Sequence, residues 1–254
     1  MKTKYYILLS LLSIITFPLH AQDSVPSLKS PSPTGEGSGV RPAGGESAEA
    51  ALGVDLVNQY IWRGQDLGDV SLQPTLGVAW KGLSLSAWGS IGISNFNDDK
   101  EMDLTLGYSV AGFNVGVTDY WFSQGSYFQY KAHKTTHLWE ANIGYDFGFL
   151  SLQWYTNFAG ADGLNNDGKR AYSSYLELAA PFGLGGLDWS ASLGVVPWAT
   201  SSYNANGFCI TNVSLRATKD FVIKEKYHLP VFAGLTANPR DEKVYLLFGV
   251  SFSM

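Results

Sequence analysis

The sequence predicts an all-β protein: a transmembrane, antiparallel, up-and-down β-barrel of twelve strands. Three observations carry that expectation. From residue 51 to the end, short runs alternate apolar with small or polar side chains, the period of a strand with one oily and one wetter face. The connections between runs tend to alternate between very short and long, as in bacterial outer-membrane barrels. Aromatic residues gather at the ends of the runs, where a bilayer has its interfaces.

Residues 1–21 read as a secretory signal. Lys2 and Lys4 form its positive end, Ile7 to Phe17 its apolar core, and His20-Ala21 a small-residue cleavage point. The apolar run is too short to be a spanning helix, and the absence of a following cysteine speaks against a lipoprotein anchor. Residues 22–50 turn to Pro, Gly and Ser, a composition that cannot bury enough apolar surface to fold. They are expected to form a disordered periplasmic leader, or a plug that dips into the pore. Residues 51–254 are the barrel.

Twelve runs qualify as strands, near residues 51–62, 71–80, 83–93, 101–110, 113–122, 137–146, 149–158, 172–181, 187–197, 208–218, 228–237 and 243–254. Each is about the length a tilted strand needs to cross a bilayer, and no segment after the signal approaches a spanning helix. The last run ends the chain on its apolar face, at Val250, Phe252 and Met254. An uncovered strand of that kind would invite aggregation, so it is expected to close the barrel against the first strand. Its ending, Gly249-Val-Ser-Phe252-Ser-Met254, resembles the C-terminal signal read by the barrel assembly machinery, an expected partner.

Lys81-Gly82, Ala111-Gly112, Phe147-Gly148 and residues 182–186 are the short connections. Residues 63–70, 94–100, 123–136, 159–171 and 198–207 are the long ones. Two fit poorly: residues 219–227 are long for a periplasmic turn, and 238–242 short for an external loop. Ten or fourteen strands therefore remain open at this point.

Alternation assigns the faces. In the third strand Leu83, Leu85, Ala87, Gly89 and Ile91 oppose Ser84, Ser86, Trp88, Ser90 and Gly92. A membrane barrel turns the oily set to lipid and the polar set to the lumen. The outer mouth and pore lining are then Arg63, Asp55, Gln59, Gln73, Glu101, Asp103, Glu140, Glu177 and Arg216, with Thr75, Asn114, Thr118, Asn142, Asp146, Gln153 and Asp188 on the same face. Acids outnumber bases there, which favours cations. Two aromatic belts follow: Tyr60, Trp62, Trp121, Trp139, Tyr155, Tyr172, Trp198 and Phe208 outside, and Trp80, Phe113, Tyr145, Phe147, Phe149, Phe182, Trp189 and Phe252 inside. Trp62 is expected to point to lipid, and Arg63 to meet Glu101 and Asp103 across the mouth. Asp119 falls on an oily face, and the tenth strand changes phase near Thr211, where a bulge is expected.

Tyr60-Ile-Trp62-Arg63-Gly64, Gln73-Pro74, Trp88-Gly89-Ser90 and Glu101-Met-Asp103-Leu-Thr-Leu-Gly107-Tyr108 stand in order along the first four strands. Together they resemble the TorF-type family of outer-membrane porins, most sharply over residues 53–120. The resemblance implies a porin-type barrel and leaves the solute unassigned.

Composition narrows the partners. The net charge is −5, or about −7 once Lys2 and Lys4 leave with the signal, which argues against nucleic acid. A single cysteine, Cys209, excludes an intramolecular disulfide framework. His133, His137 and His228 form no spacing suited to nucleophilic catalysis. Asp162-Gly-Leu-Asn-Asn-Asp167-Gly lacks the closing Glu of a calcium loop. No catalytic residue, metal or cofactor is therefore expected. The expected role is a narrow channel in the outer membrane of a Gram-negative cell, with lipid and small polar solutes as its partners. Its rivals are a barrel-embedded lipid enzyme, a closed structural or adhesive barrel, and a soluble β-protein.

Overall fold

A computed structural model describes residues 47–95, 98, 100–224 and 227–253. The expected signal, nearly all of the expected leader, and Met254 lie outside the described residues. The strands are β1 (Glu49–Val57), β2 (Tyr60–Trp62), β3 (Gln65–Gly68), β4 (Ser71–Trp80), β5 (Leu83–Gly92), β6 (Glu101–Val110) and β7 (Phe113–Trp121). They continue as β8 (Leu138–Asp146), β9 (Ser151–Gly160), β10 (Ser174–Leu184), β11 (Leu187–Val196), β12 (Cys209–Ile223), β13 (Tyr227–Asn238) and β14 (Lys243–Ser253). One 3-10 turn, Ser201–Tyr203, is the helical element among the described residues.

Twelve strands close into one barrel, with β2 and β3 forming a separate hairpin. Every wall pairing is antiparallel, and β1 closes on β14 through pairs such as Val54↔Phe252 and Leu56↔Val250. The closing role expected of the last strand is therefore the one it plays, and no wall strand is left with an open edge.

Alternation decides the faces, as the register requires. In β4, Ser71, Gln73, Thr75, Gly77 and Ala79 are buried, while Leu72, Pro74, Leu76, Val78 and Trp80 are exposed. The apolar side chains Leu52, Leu85, Leu106, Leu235, Leu246 and Phe248 all stand exposed on the outer surface. The barrel is thus oily outside and polar inside, the inverse of a soluble core.

Both poorly fitting features of the connections receive an answer. β12 and β13 pair as far as Ile223↔Tyr227, so only three residues separate the two strands along the chain. Residues 239–242 remain a short link on the long-loop side. The bulge expected near Thr211 is present: Asn212 pairs with Gly194 and Ile210 with Val195, which leaves Thr211 as the extra residue.

The main departure from expectation lies in the first run. The wall strand stops at Val57, and Tyr60–Trp62 belongs to the hairpin rather than to a continuous strand 51–62. Asn58 marks the exit. Its main-chain N–H donates to Phe248 O at 3.0 Å, its side-chain Nδ2 donates to Leu246 O at 3.0 Å, and its Oδ1 accepts from Phe248 N at 2.7 Å. The amide continues the ladder that the main chain abandons, so β14 keeps its partners as the chain turns inward.

Candidate functional site

The hairpin turns at Arg63-Gly64, both with positive φ, at 46° and 80°. Two left-handed residues make the two-residue turn that matches strand twist. Lys81-Gly82 and Ala111-Gly112 use the same chemistry in the short turns of the wall. At the hairpin tip Gly64 is required twice over: its φ is positive, and a β-carbon there would collide with the carbonyl oxygen of Thr211. Asn238 Nδ2 donates to Gly64 O at 2.9 Å, fixing the tip against β12 and β13.

The hairpin enters the lumen beside β12 and β13, and the Arg63 side chain reaches across from it. In the ring β9 lies six strands from β1 in either direction, diametrically opposite the strand from which the hairpin departs. Arg63 nevertheless lies against β8, β9 and β10. Its Nη1 and Nη2 donate to Glu140 at 2.7 and 3.0 Å in a two-pronged pair, and Nη1 also donates to the Tyr203 hydroxyl at 2.8 Å. The guanidinium lies 4.3 Å from the ring centre of Trp62, 4.0 Å from Tyr155 and 4.6 Å from Tyr175. Tyr120 donates its hydroxyl to Glu140 at 2.8 Å.

This is a buried, hydrogen-bonded ion pair, with side chains 1 % and 3 % exposed. Such a pair contributes little net stability by itself, because desolvation offsets the attraction. Loss of one partner strands the other, at about 3–5 kcal/mol. The pair therefore acts as a lock on hairpin position.

Around the lock lies an apolar cluster within the lumen: Tyr60, Trp62, Trp88, Tyr120, Leu138 and Tyr175, with Tyr203 brought in from the β11–β12 loop. Trp62 stacks on Tyr203 at 5.9 Å, and Tyr203 on Tyr175 at 6.0 Å. The Tyr203 turn is tied to the β9–β10 loop by hydroxyls, Ser173 Oγ lying 2.5 Å from Thr200 Oγ1 and 2.9 Å from Ser202 Oγ. Cys209 packs at the edge of the cluster as a free thiol.

The inward side chains show what this filling does. Along β6, Glu101 and Asp103 are buried, Thr105 and Gly107 are half-buried, and Ser109 is exposed. Along β8, Leu138 and Glu140 are buried, while Asn142, Gly144 and Asp146 are half-buried. Along β6 and β8 the lumen is closed at the long-loop end and more accessible toward the short turns, whereas along β4 the inward positions stay buried as far as Ala79.

Of the residues expected to line the pore, Asp55, Gln73, Glu101, Asp103, Glu140 and Glu177 are buried inside the wall. Glu177 accepts from the Tyr175 hydroxyl at 2.9 Å, and Gln59 donates to Asp66 at 3.0 Å. Arg216 and Asp55 face a common cavity beside the hairpin base. One expectation is corrected. Trp62, expected to face lipid, is fully buried in the lumen, because the strand carrying its parity ends at Val57; Tyr60 moves inward with it. Arg63 has a two-pronged partner in Glu140 of β8. Asp103 belongs to the same neighbourhood through Tyr120.

Tyr155 also leaves the expected outer belt, lying against Arg63. Tyr172, Trp198 and Phe208 remain exposed near the long loops, and Trp80, Phe113, Tyr145, Phe147, Phe149, Phe182 and Phe252 near the short turns. Asp119 does lie on the oily face. It accepts from His137 Nδ1 at 2.7 Å, while His137 Nε2 lies 2.6 Å from Tyr127 O and its ring stacks with Trp139. Both ring nitrogens of His137 are thus engaged outside the barrel, away from the lumen.

Sequence reasoning missed Tyr203, which sits in a loop without periodicity. It also left out Tyr120 and Tyr175, although Tyr120 shares the parity of Thr118 and Tyr175 that of Glu177.

Fold and site together define a closed twelve-stranded antiparallel barrel whose long-loop end is capped by an inward hairpin. The chain belongs to the Gcw_chp family, described as bacterial proteins of unknown function, which matches residues 42–221. No curated protein matches it. Solved structures similar to it include OmpF of Salmonella typhi in complex with daunomycin, at 8% identity over 82% of this chain and 97% of that one, TM-score 0.37. The COG4313 outer membrane channel of Pseudomonas putida F1 is another, at 13% identity over 84% of this chain and 98% of that one, TM-score 0.36. Neither likeness extends to function.

Proposed function

We propose that the protein is an outer-membrane channel for small polar solutes, closed by the β2–β3 hairpin in the state described and opened by its displacement. The observation that carries the reading is the gradient of burial along the inward faces of β6 and β8: a polar lumen, more accessible from the short turns on that side, ends at an aromatic plug on a two-residue turn. The continuous apolar exterior supports a lipid-facing wall, since soluble proteins rarely expose such contiguous surface. The TorF-type resemblance at Tyr60 to Gly64 falls on the hairpin itself, which fits a role for this element in the function.

The luminal acids Asp55, Glu101, Asp103, Glu140 and Glu177 outnumber Arg63 and Arg216, which supports a mild preference for cations. The long loops would face outward, and the short turns and both termini the periplasm. Lipid and the assembly machinery are the partners this placement implies.

Planar-bilayer conductance of the detergent-folded protein tests the reading, with wild type compared against a variant whose residues 59–69 are replaced by a short Gly/Ser link. Rare or small steps in the wild type and larger, frequent, weakly cation-selective steps in the variant are expected. Silence from both, on protein shown by gel mobility to be folded, would overturn the channel and leave a closed structural barrel.

A further inference from the structure

Beside the hairpin base lies a cavity of about 50 Å³, lined by Asp55, Gln73, Ser214, Arg216, Phe232 and Thr236 among others. One water needs roughly 10–15 Å³ on such a measure, so the space takes a few waters or a molecule of a few heavy atoms. Two opposite charges face it without meeting.

Asp55, on β1, is 7 % exposed, and its Oδ1 is buried without a hydrogen-bond partner among the described residues. The Ser251 hydroxyl on β14 supports the carboxylate, and the Arg216 charge is close enough to be felt. Arg216, on β12, has its guanidinium 3.5 Å from the ring centre of Phe232. Gly249 makes that placement possible, because a β-carbon there would lie 2.5 Å from Phe232 Cζ. Asp55 and Arg216 sense each other's charge but form no ion pair among the described residues. The aromatic contact holds the guanidinium by its face and leaves its planar fork of donors for another group.

An unpaired buried charge is costly. Here the Asp55 carboxylate has a buried, unused oxygen, and the half-buried Arg216 guanidinium has donors left over; both face one largely apolar cavity, whose lining also includes the polar side chains of Gln73 and Thr236. That arrangement complements a molecule carrying both charges at short separation. We infer that the cavity binds a small zwitterion with carboxylate and ammonium on one carbon, an α-amino acid of the size of glycine or alanine. Its carboxylate docks two-pronged on Arg216, and its ammonium donates to Asp55 Oδ1. Tyr60 and Ile61 of the hairpin also line the cavity, so the bound solute touches the element that closes the lumen. The inference rests on the channel reading for its biological sense and on the cavity alone for its chemistry.

Saturation-transfer NMR on the detergent-folded protein reads binding independently of conductance. The expected result is saturable transfer to alanine and little to glycerol, acetate or ethylammonium, each of which lacks one or both charges. Asp55→Asn and Arg216→Gln, checked for folding by gel mobility, should each weaken alanine binding by about tenfold or more. Arg216→Lys, which keeps charge but not the fork, should fall between. The solute series on wild-type protein decides the matter even if a variant fails to fold. Equal transfer to alanine and glycerol, or alanine binding unchanged in both charge variants, would overturn the inference. The bilayer recording separates the two readings: conductance without alanine binding removes the zwitterion site alone, and alanine binding without conductance removes the channel alone.

Discussion

The two halves of the lumen are built from the same wall and differ in almost everything else. Toward the long loops, inward positions carry Tyr120, Glu140, Tyr175 and Glu177, all buried, and a hairpin fills the space between them. Toward the short turns, they carry Ser84, Gly107, Asn114, Asn142 and Gly144, all half-buried. The open half makes do with loose polar contacts, such as Asn142 Nδ2 to Asn114 Oδ1 at 3.4 Å. The comparison teaches that strand pairing suffices to hold the wall, and that the plug is a second structure with its own fastening. Disturbing the plug should leave the wall intact.

Removing the lock should have the largest effect. Arg63→Ala strands Glu140 and should weaken hairpin docking by about 3–5 kcal/mol. Limited proteolysis within residues 58–70 should then appear while circular dichroism still reports a folded barrel. A hairpin that stays protected would mean that the aromatic stack alone holds it. The double variant Arg63→Met with Glu140→Leu removes both charges and should recover most of the protection, because a buried pair can often be replaced by apolar residues at little cost.

Gly64→Ala attacks the same docking through sterics. Its positive φ and the Thr211 carbonyl should cost more than about 1 kcal/mol, read as a lower denaturant midpoint for hairpin release and an unchanged one for the barrel. Asn58→Ala should cost about 1 kcal/mol. Its signature is local: faster hydrogen exchange at the Phe248 amide, with exchange at Leu235 in the neighbouring strand unaltered. Asn114→Ala, in the open half, should change stability by less than about 0.5 kcal/mol. A thermal shift as large as that of Gly64→Ala would show that the open half is structural too.

The wall was legible because a strand writes its orientation into every second residue. Ser71 to Trp80 announces its faces without help from any partner, and the bulge at Thr211 was visible as a change of phase. The hairpin was legible only in part. Arg63-Gly64 has the same left-handed turn as Lys81-Gly82 and Ala111-Gly112, a signal present in the sequence. Tyr60-Ile-Trp62 continues an apolar texture, however, and nothing local says that the wall ends at Asn58. That break depends on an amide meeting the backbone of β14, far along the chain.

By itself, then, the sequence determined the strands, their faces and their closure, because period, length and turn chemistry are local properties. Tertiary structure alone decided that Trp62 turns inward, that Arg63 answers Glu140 across the barrel, and that Asp55 and Arg216 face one cavity without touching. Those outcomes depend on which strands the ring sets opposite or near one another and on how far a hairpin reaches, quantities that exist only once the sheet has closed.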